Sequence, residues 1–223
     1  MTETLILAAV LIPCLIVAIV FHEVAHGWTA LMLGDPTAKE QRRLSLNPIR
    51  HIDPVGTLLV PGALALMGAP IFGWAKPVPV NQRRLDNPRF GMMAVAAAGP
   101  GTNLLLAGLA AIVIGVTGMT EAIIAGEGGL VATVFTYFLL INIFLALFNM
   151  LPIPPFDGSH IVEGLLPRPR ARAYGKFRPF GMLLFFALIA LVWFAPDLRL
   201  FERVFYPPVE WALDRYLALA SLL

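Results

Sequence analysis

Five stretches of this 223-residue chain, 4–21, 54–75, 90–120, 128–156 and 179–196, contain no Asp, Glu, Lys or Arg. Uncharged apolar runs of that size, in a chain 58% hydrophobic and 13% charged, match helices that cross a bilayer. With a mean hydropathy of +0.79, the chain reads as an all-α polytopic membrane protein of about four transmembrane helices. Outside these stretches no segment is long enough for a separate folded domain. The single cysteine, Cys14, lies in the first stretch and reads as an inert buried thiol, which excludes a disulfide framework and a cysteine zinc site. Thr2-Glu3-Thr4 offers no basic n-region, so no cleavable signal peptide is expected.

The first apolar run continues as helix through Phe21-His22-Glu23-Val24-Ala25-His26 to about Leu33, where Gly34-Asp35-Pro36 stops it. Residues four apart share one helix face, so His22 and His26 can reach one metal. Glu23 lies about 100° round the same turn, placed to take a proton from a metal-held water. This is the hydrolytic-zinc pattern, with two imidazole ligands and a carboxylate as general base. Three ionisable groups within five membrane residues cost too much to serve packing alone.

Basic residues set the topology. Lys and Arg cluster at 39–50, 76–89, 168–178 and 199–215. If 54–75 spans the membrane, they divide almost evenly between the two sides. If it dips in and returns, thirteen share one side against three, and that side is cytoplasmic. Pro54, Gly56, Pro61, Gly62, Gly68, Pro70 and Gly73 also make a poor spanning helix. A re-entrant segment over 54–80 is therefore expected. Its return limb, 72–81, carries prolines at alternate positions and reads either as a short β-like stretch or as a connecting loop.

The second span, about 90–118, holds Gly99-Pro100-Gly101-Thr102-Asn103. Asn103 either donates to a substrate carbonyl and the oxyanion formed from it, or bonds a neighbouring helix. The third span, about 130–151, ends in Asn149-Met150-Leu151-Pro152-Ile153-Pro154-Pro155-Phe156-Asp157-Gly158. Three prolines end the helix there, and re-entrant topology brings Asp157 to the depth of the histidines. A catalytic zinc needs a third protein ligand and an open position, and Asp157 is the only acidic residue between Glu127 and Glu163. Asn142 and Asn149, seven apart, face one way towards the first span, with Asn149 alternatively beside the metal. His160 reads as a surface residue or a neighbour of the site, and His51 as a loop histidine. The basic run 168–178 suits anionic headgroups. A fourth span, 179–196, and an amphipathic interfacial tail on the far side complete the chain. The domain reading is a core over 1–166 and a C-terminal part over 167–223.

His22-Glu23-Val24-Ala25-His26, Gly99-Pro100-Gly101-Thr102-Asn103 and Asn149 through Gly158, in that order, resemble the site-2 protease family of intramembrane zinc metalloproteases. His51-Ile52-Asp53-Pro54-Val55-Gly56 and Trp74-Ala75-Lys76-Pro77-Val78-Pro79-Val80 extend the resemblance over about residues 10–165. It implies a Zn²⁺ ion on His22, His26 and Asp157, water activation by Glu23, and substrate handling by Asn103. It also implies cleavage within single-span membrane proteins of the cell membrane, at a site near the cytoplasmic side. The chain departs from the family in having no inserted PDZ domain and no clear nucleotide-sensing domain. Nothing points to nucleic acid, and assembly into a homo-oligomer is left open. The rival readings are a membrane zinc-binding or transport protein without hydrolysis, and an inactive family adaptor.

Cysteines placed at Gln82 and Arg170 should both react with an impermeant thiol reagent from the cytoplasm, and one at Glu127 from outside. Labelling of the Gln82 position from outside alone would make 54–75 a full span and separate Asp157 from His22.

Overall fold

The computed structural model describes residues 2–66 and 74–223. Ten α-helices occur among them: α1 (Thr2–Met32), α2 (Thr37–Glu40), α3 (Val60–Leu66), α4 (Pro88–Val116), α5 (Thr120–Ala125), α6 (Leu130–Asn149), α7 (Asp157–Leu165), α8 (Arg168–Gly175), α9 (Gly181–Phe194) and α10 (Tyr206–Ala220). Four stretches are long and apolar enough to cross a membrane: Leu5–Met32, Pro88–Val116, Leu130–Asn149 and Arg168–Phe194. The four expected spans are all present, the last beginning eleven residues earlier than its apolar run.

Helix α4 is the hub, packing against α1, α6, α7 and α10. Its contact face is built from small residues, Ala107, Ala110 and Ala111, which let Ile114, Leu139 and Ile143 close over one another without solvent. The C-terminal helix joins this cluster through Ala212 and Ala220, and the Tyr216 hydroxyl donates to the Leu104 carbonyl at 2.9 Å. The tail thus lies against α4 and α6. Helix α9 contributes little to the core: Leu183 is 66% and Phe194 84% exposed, as lipid-facing side chains are.

The expected β-like stretch is not a strand. Among the described residues there is none, and 74–81 has no ladder partner; residues 72 and 73 of that expectation lie outside the described part. Isolated bonds hold this limb instead. Trp74 N–H donates to the Gly56 carbonyl at 3.1 Å, Lys76 N–H to the His51 carbonyl at 2.9 Å, and the Thr57 hydroxyl to the Trp74 carbonyl at 2.9 Å. The physical reason is in the sequence, because Pro77 and Pro79 remove the alternate N–H groups that a ladder needs. Trp74 stands beside Gly56 through the first of these bonds.

One buried carboxylate ties this limb to α1. Gly34, at φ 97°, ends the helix, and Asp35 behind it is fully buried. Asp35 accepts from Thr37 N–H at 3.1 Å, from the Thr37 hydroxyl at 2.5 Å and from Asn81 N–H at 2.6 Å. Asp86 N–H, beyond the same limb, donates to the Leu33 carbonyl at 2.9 Å. Burial alone would raise the Asp35 carboxyl, but the Thr37 and Asn81 donors outweigh it and hold it below the ordinary carboxylate range.

Asp35→Ala strands these donors and should cost about 1–3 kcal/mol, seen as faster amide exchange at Asn81. Because the carboxyl is more acidic folded than unfolded, its contribution is complete above about pH 4. It is lost as pH falls through the lower folded value. An acid transition unchanged in Asp35→Ala would reject Asp35 as its source.

Candidate metal centre

Helix α1 presents His22 and His26 one turn apart on the face turned to α4, both buried, with ring centroids 4.6 Å apart. After α6 ends at Asn149, the proline-rich connection delivers Asp157 as the first residue of α7, which packs on α4. Asp157 Oδ2 then lies 3.1 Å from His22 Nε2 and 3.3 Å from His26 Nε2. These three are the His, Asp, Glu or Cys group among the described residues able to hold one ion.

The tautomers follow from the partners behind the rings. His26 Nδ1 lies 2.7 Å from the Val95 carbonyl, which can only accept, so Nδ1 carries the proton. Asn142 donates through Nδ2 to the Phe138 carbonyl at 2.8 Å, leaving its Oδ1 to accept from Asn103 Nδ2 at 2.8 Å. Asn103 Nδ2 also lies 3.2 Å from the Ala18 carbonyl, so Asn103 Oδ1 is the atom that faces His22 Nδ1, at 2.6 Å. His22 Nδ1 therefore also carries its proton. Both Nε2 lone pairs then point at a carboxylate oxygen. Three electron-pair donors repel one another unless a cation sits between them. Separations of 3.1 and 3.3 Å suit adjacent corners of a tetrahedron with arms of about 2.0–2.1 Å, the bond lengths of zinc to nitrogen and oxygen. The donor set fits the metal.

Glu23 stands on the same helix, and its Oε2 accepts the Val78 N–H at 2.7 Å. With His22, His26, Asp157, Pro77, Val78 and Val80 it lines a cavity of about 320 Å³. Asn149 and His160 line it too; the Asn149 amide donates to its own helix at Leu145, and His160 Nδ1 faces Arg178 at 2.9 Å. His51 is buried elsewhere, bonded to the Ser45 carbonyl at 2.7 Å. Asn103 has no exposed surface and lies behind His22, away from the cavity lining.

Several contributors were out of reach of sequence reasoning. The Val95 carbonyl and Val78 N–H are backbone groups and leave no residue signal. Gly99 is different: a Cβ there would lie 2.5 Å from His26 Nε2 and 2.6 Å from His22 Cε1, so only glycine admits both rings. The signal is a glycine beside Pro100 inside a span, a residue that lets another element come close.

A donor set fit for a metal, facing one cavity with a carboxylate among helices long enough to cross a membrane, is what a membrane metallohydrolase requires. Residues 113–192 match the model of Peptidase family M50. The chain is 41% identical over 181 residues to "Putative zinc metalloprotease YwhC" of Bacillus subtilis, covering 80% of this chain and 78% of that protein. It is 24% identical over 205 residues to "Putative zinc metalloprotease Rip2" of Mycolicibacterium smegmatis, covering 89% and 71%. The protein of the same name from Mycobacterium tuberculosis H37Rv is 25% identical over the same shares. No solved structure gives a significant match. The chain belongs to peptidase family M50, the site-2 proteases, and is a multi-pass membrane protein.

Gly99→Ala should lower zinc affinity by about 10- to 100-fold, the usual loss when a ligand's support is disturbed. Gly101→Ala, where a Cβ meets nothing within 4 Å, should not. Metal analysis of the two purified variants checks this, and equal zinc content in both would remove Gly99 from the site.

Proposed function

We propose that this chain is an intramembrane zinc metalloendopeptidase that hydrolyses peptide bonds within single-span membrane proteins, at a site near the cytoplasmic side. The observation that carries this reading is the placement of Glu23 in one cavity with three converging electron-pair donors. His22, His26 and Asp157 would hold the zinc. Bound there, zinc supplies a water of pKa near about 7 and polarises the scissile carbonyl.

Glu23 is the base. Val78 N–H fixes Oε2, while Oε1 takes no bond among the described residues and remains to accept the proton of the attacking water. The same carboxyl then gives that proton to the leaving amine. Asn103 acts through His22: its oxygen orients the ring, and its amide is already engaged by Ala18 and Asn142. That makes it a positioning residue, where the sequence alone left substrate contact open. Val78 has given its N–H to Glu23, so pairing with an unwound substrate falls to Val80, whose N–H is unpaired among the described residues. The adjacency of Gly56 and Trp74 supports the re-entrant reading, and with it the cytoplasmic side for the 76–89 and 168–178 basic clusters. On this reading 1–166 is the catalytic core.

The rival is a zinc-binding or transport protein, which has no use for a base beside its ligands. Glu23→Gln should keep zinc yet lower cleavage of a model single-span substrate by at least about 10²- to 10⁴-fold. Asp157→Ala should lose zinc and cleavage together. Full cleavage by Glu23→Gln would reject the mechanism. Zinc held at wild-type affinity by Asp157→Ala would remove Asp157 as a ligand.

A further inference from the structure

Beside the metal cavity, and sharing His160 and Met92 with it, lies a second cavity of about 200 Å³. Four arginines line it, Arg89, Arg168, Arg172 and Arg178, with Glu163 as the one acid. Glu163 is spent on Arg178, which also faces His160 Nδ1. Three positive charges are left without a counter-ion. Arg89 donates one nitrogen to the Leu166 carbonyl and has its guanidinium carbon 5.3 Å from the Phe90 ring centroid, while its buried Nε finds no partner. Arg168 and Arg172 are exposed and form no ion pair among the described residues.

The depth of the cavity matters as much as its charge. Arg89 is the second residue of the span Pro88–Val116, and Arg168 the first of the span Arg168–Phe194. Two stretches long and apolar enough to span thus begin beside one cavity, which places it at a water boundary that both meet. Lipid phosphates lie at that level, and basic pockets between spans bind them. A guanidinium fork matches two phosphate oxygens, and the volume admits a phosphate with part of its glycerol.

We propose that the Arg89–Arg168–Arg172–Arg178 cavity is a phosphate site, occupied by the headgroup phosphate of an anionic lipid. This stands apart from the peptidase reading, since it invokes neither the metal nor a substrate. A zwitterionic headgroup brings its own cation towards the arginines and should be disfavoured.

The test uses the full chain in neutral detergent, titrated with phosphatidylglycerol, phosphatidylcholine or inorganic phosphate and followed by native mass spectrometry. One phosphatidylglycerol per chain should bind at least about 10-fold more tightly than phosphatidylcholine. Arg168→Gln with Arg172→Gln should weaken it by roughly 30-fold, the effect of two basic charges near the headgroup. Arg42→Gln with Arg50→Gln removes equal charge from exposed positions outside the cavity lining and should leave binding within about twofold. Binding of inorganic phosphate with the same dependence on Arg168 and Arg172, and no lipid retained, keeps the phosphate site and assigns it to a soluble source. Equal losses in the two variant pairs would reduce the effect to diffuse surface charge and overturn the site. So would a chain that retains neither lipid nor phosphate. Wild-type zinc content in both pairs keeps misfolding from being read as loss of binding.

Discussion

Two neutral imidazoles and a carboxylate aim lone pairs at one point inside an apolar helix bundle, and the surrounding structure exists to hold them there. Left alone, such groups would turn away from one another. They are prevented by fixed acceptors behind each ring: the Val95 carbonyl at His26, and the oxygen of Asn103 at His22. Asn103 is in turn fixed by Asn142, whose own orientation is set by the Phe138 carbonyl. The relay crosses from α6 through α4 to α1. In a membrane, where an unpaired polar group has no water to turn to, each member must be satisfied, and this one is.

Helix α4 makes that relay geometrically available. It carries glycine at the level of the two rings and alanines further along, so α1 and α6 approach it closely on either side. Close approach at Gly99 brings the histidines over the helix, and close packing at Ala107, Ala110 and Ala111 locks α6 and α10 behind it. Small residues thus serve the site at one end of α4 and stability at the other. The same backbone closeness explains why a carbonyl, at Val95, can do what a side chain does at Asn103.

Much of this was legible from the residues. Charge-free runs gave the spans, because hydropathy is what the bilayer selects. The His22–Glu23–His26 spacing gave the ligand face, since helix geometry fixes it once the helix is granted. Asp157 was reached through topology and elimination, and the structure brings it to 3.1 and 3.3 Å from the histidines. What could not be read was carried by backbone atoms or by tertiary pairing. Alternate prolines at 77 and 79 suggested an extended edge, yet the same prolines deny a ladder, and isolated bonds replaced it. The tail read as interfacial from its charges, among them Glu210, Asp214 and Arg215, while its packing on α4 and α6 rests on Ala212, Ala220 and the Tyr216 hydroxyl, which carry no such signal.

The loop limb 74–81 links these themes. It is anchored twice to α1, by Asp35 holding Asn81 and by Glu23 holding Val78. The two carboxylates do different work with the same kind of bond. Asp35 is buried with donors on both oxygens, so it fastens the limb. Glu23 accepts one and keeps an oxygen free at the cavity wall. Because the limb that would receive substrate is the same limb that orients the base, displacement of one moves the other. A substrate that pulls Val78 away would release Glu23, whereas one that pairs only along Val80 leaves the base in position. On the proposed reading, that coupling favours a substrate held along Val80, which leaves the Glu23–Val78 bond intact in the cavity that the metal donors also line.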